Sequence, residues 1–225
     1  MNVATLRGFS IFLVAATFHI VSLVMEWRDL ATVTKFALMP TLIVGVVLVG
    51  RRWLARPDFL LIAALVLAWV GDIFVGDAAG ASFIVGLGAF LAAHVVYFLL
   101  FVRALKSRRV PRLALVLVFW WGGLLAVLHD DLGVFFVPLA VYGATLGAST
   151  AAALATNPLI AAGAVLFLAS DTALAWSLFS PMAVWWQSDA VIMALYAAGQ
   201  LLIAWGVVSR QRSVRKGSER RSLER

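Results

Sequence analysis

Two aspartates, Asp72 in LIAALVLAWVGDIFVG and Asp171 in LIAAGAVLFLASDTALAW, each sit near the same end of a run that is otherwise hydrocarbon. A carboxylate inside such a run is costly to keep, so by default it is a working group. A pair of intramembrane acids has two chemistries open to it. It can exchange protons with a bound substrate as general acid and base, or it can bind and release protons or ions in transport. The other polar side chains set among apolar residues are Lys35, His94, Tyr97, Tyr142, Tyr196 and Gln200. His94 and Tyr97 are three apart and therefore share a helical face.

The elements that must position these groups follow from composition. Of 225 residues 64% are hydrophobic and 13% charged, with a mean hydropathy of +1.01, which excludes an ordinary soluble domain. Apolar stretches of about 16 to 22 residues succeed one another with brief polar breaks, and in a bilayer such stretches must be helices. Eight are expected, over 8–25, 33–50, 59–76, 81–102, 113–128, 134–154, 159–178 and 190–208. The fold class is thus all-α, a polytopic membrane helical bundle. One transmembrane domain occupies 1–209, and 210–225 is a basic tail expected to be disordered. The first span lacks a small-residue cleavage site and reads as a permanent helix.

The net charge of +7 could suggest nucleic acid, but its distribution points to topology instead. Sixteen of the eighteen Lys and Arg fall in alternate loops and the C-terminal tail; only Arg28 and Lys35 lie toward the opposite face, with Glu26, Asp29, Asp77, Asp130, Asp131 and Asp189. The positive-inside rule then places both termini in the cytoplasm of a multi-pass protein of the cell inner or plasma membrane. No nucleic-acid partner is expected, since the tail reads as a solvated stop signal beside anionic headgroups. Oligomeric state is not legible.

With this topology the third and seventh spans run outward and reach their aspartates after about 13 residues, about 20 Å up. The acids therefore share a level in the outer half of the bilayer and can face each other. An internal repeat supports the pairing. Pro40 and Pro138 are 98 apart, as are the LIAA strings at Leu61 and Leu159, while Asp72 and Asp171, and Tyr97 and Tyr196, are 99 apart. Corresponding helices run the same way, so the expectation is a parallel 4+4 duplication about an axis along the membrane normal.

No metal or other cofactor is implied. There is no Cys, and His19, His94 and His129 are scattered without an HxxxH pair. Ser170, beside Asp171, has no histidine base near it in sequence. Duller readings of the polar residues are also physical. The acids could form a structural hydrogen-bonded pair, Lys35 could snorkel to the interface, and His94 could be a satisfied core histidine. Asp189 reads as the cap of the eighth helix, and Trp27, Trp53, Trp120, Trp121, Trp185 and Trp186 read as interface anchors.

Five segments in order, TKFALMP at 34–40, GD at 71–72, GLGAFLAAHVVYFLLF at 86–101, GAVLFLASD at 163–171 and YAAGQLLI at 196–203, resemble the signature segments of the YhhN-like lysoplasmalogenase family. Phe36 departs from the family's common Pro after the Lys, and Gln200 falls where members vary. The resemblance implies an integral membrane hydrolase that cleaves the alkenyl ether bond of lysoplasmalogens, with a lysophospholipid substrate held in the bilayer. That chemistry needs a proton delivered to the β carbon of the vinyl ether. An oxocarbenium-like cation results, and water adds to give a hemiacetal that collapses to aldehyde and alcohol. Two carboxylates suffice, one neutral as acid and one ionised as base, as in glycosidases. Asp72 and Asp171 are the expected catalytic pair, with Asp171 favoured as acid although the sequence does not order them. Lys35, His94, Tyr97, Tyr142, Tyr196 and Gln200 are the expected substrate-binding groups. The lipid chain is expected in an apolar slot of about 300 to 1,000 Å³ running inward from the acids past His94. The rival reading is a small-solute or proton-coupled transporter, against which the short chain and the parallel sense of the repeat both count.

Overall fold

The computed structural model describes residues 7–50, 56–75, 81–105, 109–180 and 188–223, with backbone alone for 56 and 212–223. All regular structure among them is helical. Eight α-helices follow in order: α1 (Ser10–Val24), α2 (Arg28–Gly50), α3 (Arg56–Phe74), α4 (Ala81–Leu99), α5 (Val116–Leu132), α6 (Phe136–Leu154), α7 (Pro158–Phe179) and α8 (Ser188–Leu223). Each matches an expected span to within a few residues at most ends. The departure is α8, which continues as one helix through 210–223, where the sequence suggested a disordered tail. Asp189 lies within the first turn of α8, which is already helical at Ser188. Arg51, Arg52, Trp53, Asp77, Lys106, Arg108, Trp185, Trp186 and Arg225 lie outside the described residues.

Among the described residues six stretches are long and apolar enough to cross a bilayer, and the chain is an integral multi-pass membrane protein. One of them, Arg112–Leu154, is 43 residues long and holds both α5 and α6. It folds back on itself at Gly133, whose φ of +48° and ψ of −123° only a glycine adopts readily. Trp121 on α5 accordingly donates its indole N–H to the carbonyl of Ala140 on α6, at 3.0 Å. The 15-residue α1 is shorter than the rest. It closes with Glu26 in the left-handed region (φ 58°), which lets the Trp27 N–H reach back to the Ser22 carbonyl at 2.9 Å.

Small residues bring α7 and α8 into backbone contact. A Cβ on Gly163 would stand 2.7 Å from the Gly199 carbonyl oxygen, and one on Gly199 would stand 2.8 Å from that of Gly163. Close approach of this kind is how transmembrane helices gain packing energy when lipid removes the hydrophobic drive. Asn157 caps α7 through Ile160 N at 3.0 Å and also donates to Gly206 O on α8 at 3.3 Å. Ser170, which the sequence left without a role, donates to Ile192 O at 2.9 Å. Asp171 is thereby fixed beside the start of α8.

Candidate active site

The surroundings of Asp72 begin with Pro40, inside α2. A proline has no N–H, so the carbonyl four residues back, that of Phe36, loses its helical partner. Trp69 on α3 supplies one, donating Nε1–H to Phe36 O at 2.9 Å. This bond docks α2 on α3 one turn before Asp72. Lys35 then lies across the end of α3, donating Nζ to Val75 O at 3.2 Å and acting electrostatically on Asp72. Asp72 is buried and accepts a hydrogen bond from the Tyr196 hydroxyl of α8 at 2.8 Å.

Asp171 accepts a short hydrogen bond from the Tyr142 hydroxyl of α6. The two carboxylates interact electrostatically, and Tyr142 feels both. Lys35, Asp72, Tyr196, Asp171 and Tyr142 thus form one polar network drawn from α2, α3, α8, α7 and α6.

Asp171 keeps partial exposure and lines an apolar cavity that is partly open to the outside. Asp171 and Tyr142 are the acid and hydroxyl of a wall that is otherwise aliphatic and aromatic. One side is a stripe of α5 comprising Trp120, Trp121, Leu124, Leu125, Leu128 and Leu132, residues that share a helical face. The opposite stripe of α5 turns outward, with Val116, Val118, Phe119 and Val127 exposed. Both tryptophans use their N–H groups inside the protein, Trp120 on Thr172 Oγ1 at 3.0 Å and Trp121 on Ala140 O. The sequence read them as interface anchors; in the structure they lie at the fifth and sixth positions of α5 and wall the cavity. Phe83, Phe135 and Phe179 pack against one another at its end, with ring centroids 5.2 to 5.8 Å apart.

The slot also runs the other way from expectation. The cavity extends from Asp171 toward the helix ends at Val75, Leu132 and Phe179, and not past His94. The space beyond the acids is filled by a second polar group. His94 faces Ser149 Oγ at 3.0 Å and is wedged edge-on against Phe167, with centroids 4.8 Å apart, and against Tyr142, at 5.7 Å. Tyr97 donates to Gln200 Oε1 at 2.5 Å and stacks on Phe101. Ala93 and Leu146 close this layer with no surface to spare. Of the eight residues singled out from sequence, five therefore join the acid network, while His94, Tyr97 and Gln200 form a separate layer and do not line the cavity. Ser149, Thr172 and Trp120 were missed, since a small polar residue or a tryptophan in an apolar run carries no sign of its partner. Among the described residues no three His, Asp or Glu side chains group as a metal site.

Comparison with known proteins bears on this arrangement. Residues 30–207, which include all eight residues, match the model of the YhhN family. A human relative, lysoplasmalogenase TMEM86B, is 35% identical over 162 residues, covering 69% of this chain and 68% of the relative. No solved structure matches.

Proposed function

The chain belongs to the YhhN family, and from that premise we propose that it is a membrane hydrolase that cleaves the vinyl ether bond of a lysoplasmalogen or related lysolipid. The observation that carries the reading is the electrostatically coupled pair of carboxylates, one at the edge of an apolar cavity and the other tied to Lys35. The cavity takes the lipid, so the acid that faces it, Asp171, delivers the proton to the β carbon. Asp72, with the Lys35 ammonium and the Tyr196 hydroxyl beside it, is the carboxylate that offsets the oxocarbenium charge and receives the proton of the attacking water. The hemiacetal then collapses to a fatty aldehyde and the glycerophospho headgroup. Tyr142 orients Asp171, and the five-residue network separates the roles of two chemically identical side chains by environment.

The same proposal includes eight spans, with α5 and α6 crossing separately, both termini cytoplasmic, and the acids in the outer half of the bilayer. It includes a parallel duplication in which α1 to α4 correspond to α5 to α8. The sequential helix pairs α1 with α2, α3 with α4, α5 with α6 and α7 with α8 pack together in the same pattern in both halves. Purified protein in detergent, mixed with an alkenyl lysolipid, is expected to release aldehyde. A carrier would release none, and absence of aldehyde across choline and ethanolamine headgroups would reject the hydrolase.

A further inference from the structure

The layer beyond the acids contains two buried polar atoms that no protein group satisfies. Ser149 Oγ donates its single proton to the Leu146 carbonyl at 2.9 Å, so in the His94 contact it accepts, and His94 Nδ1 is the donor. That fixes the tautomer and leaves His94 Nε2 a bare acceptor, buried and without a partner. Gln200 is fully buried, its Oε1 taken by Tyr97. Its amide interacts with the Tyr196 hydroxyl, yet Nε2 is a buried donor with no partner in full hydrogen-bond geometry. Buried polar atoms are almost always satisfied, by protein or by ordered water.

The two orphans are complementary, one an acceptor and one a donor, and Tyr97 links the residues that carry them. The rings of His94 and Tyr97 are 6.1 Å apart, and the Tyr97 hydroxyl touches Gln200. We propose that an ordered water bridges His94 Nε2 and Gln200 Nε2, donating to the first and accepting from the second, and that this site supplies the water consumed in hydrolysis. The second clause rests on the hydrolase reading. Its argument is one of access. A lipid chain seated in the cavity fills the apolar side of Asp171 and excludes water there. The nucleophile must then come from the polar side, where Gln200 adjoins the Tyr196 hydroxyl bonded to Asp72. A buried water needs two to four polar partners, and this layer offers His94, Gln200 and the oxygens of two tyrosines.

A high-resolution density map of the full-length protein is expected to show a water within hydrogen-bond distance of both side chains, and to show it lost in Gln200→Leu. In aldehyde release, His94→Phe and Gln200→Leu are expected to lower kcat by roughly tenfold to a hundredfold while leaving KM for the lysolipid within about twofold, because neither side chain meets the lipid. His94→Gln, which keeps an acceptor, should recover part of kcat. Should His94→Phe fail to fold, Gln200→Leu carries the same test. Density that shows the two side chains bonded directly, or no water, overturns the site. A folded variant with unchanged kcat overturns the supply role. Water density in a protein that releases no aldehyde upholds the site and rejects the hydrolase reading alone.

Discussion

Asp72 and Asp171 stand 99 residues apart and each accepts a tyrosine hydroxyl, yet the rest of their neighbourhoods differs. Asp72 lies in the last turn of α3, where the carbonyl end of the helix disfavours an anion. Lys35 answers this by donating to the Val75 carbonyl while facing Asp72, and Tyr196 adds a hydroxyl donor. Asp171 lies two turns inside α7, part-buried at the wall of an apolar cavity, with Tyr142 as its hydrogen-bond donor. The two acids thus have unlike partners, and in the proposed mechanism the unlike partners are what separate the acid from the base. The tyrosines show the same divergence: Tyr196 bonds an aspartate, whereas Tyr97, its counterpart by spacing, bonds Gln200.

The harshest way to break this comparison is to remove the proton or the charge while keeping the shape. Asp72→Asn and Asp171→Asn are each expected to lower aldehyde release by about a thousandfold or more, with normal expression and detergent elution, because proton transfer and electrostatic stabilisation each contribute on that scale. Near-normal turnover by either variant would remove that residue from the mechanism. Next in size is Lys35→Met, which takes the cation from one acid only. A loss of about tenfold to a hundredfold in kcat is expected, with partial recovery in Lys35→Arg. Equal activity of Lys35→Met and wild type would reduce Lys35 to a cap on α3.

The tyrosines sharpen the comparison further. A hydrogen bond to a charged group contributes about 1.5 to 3 kcal/mol and one between neutral groups about 0.5 to 1.5. If Asp72 is the ionised member, Tyr196→Phe should cost about ten to a hundredfold in kcat, and Tyr142→Phe only about two to tenfold. The reverse order, measured side by side with one substrate, would exchange the roles of the two aspartates.

Much of this arrangement was legible in the residues. Length and apolar character located the eight helices of the described residues, since hydrocarbon runs in a bilayer have one solution. The acid pair was legible because a carboxylate among leucines is conspicuous. Side-chain partnerships were not. Nothing in LGAST marks Ser149 as the partner of His94, and Pro40 foretold a free carbonyl at Phe36 without naming Trp69 as its donor. The direction of the cavity was misread for a related reason. Depth along a helix says how far a side chain sits from an interface, but whether space opens above or below it depends on residues from four other helices. Here Phe167, Leu146 and Ala93 fill one side, and α5, which presents only one stripe to the body, leaves the other open.

The smallest expected effect tests that direction. A lipid chain in the cavity runs from Asp171 along the stripe of α5 toward Leu132, so bulk added at Leu124 or Leu125 shortens the space available without touching either acid. Leu124→Trp is expected to shift preference toward shorter lysolipid chains by about one order of magnitude in relative kcat/KM, the scale on which one or two methylenes are discriminated in an apolar pocket. Ala93 lies in the filled layer at 0% exposure, and a larger side chain there has nowhere to go. Ala93→Leu should therefore lower Tm through overpacking of about 1 to 3 kcal/mol while leaving the ranking of chain lengths as in wild type. Measured over a series of chain lengths, a shift in Ala93→Leu with none in Leu124→Trp would place the lipid on the His94 side of the acids. Asp171 would then protonate from the opposite face, and the site assigned to water would belong to the lipid chain instead.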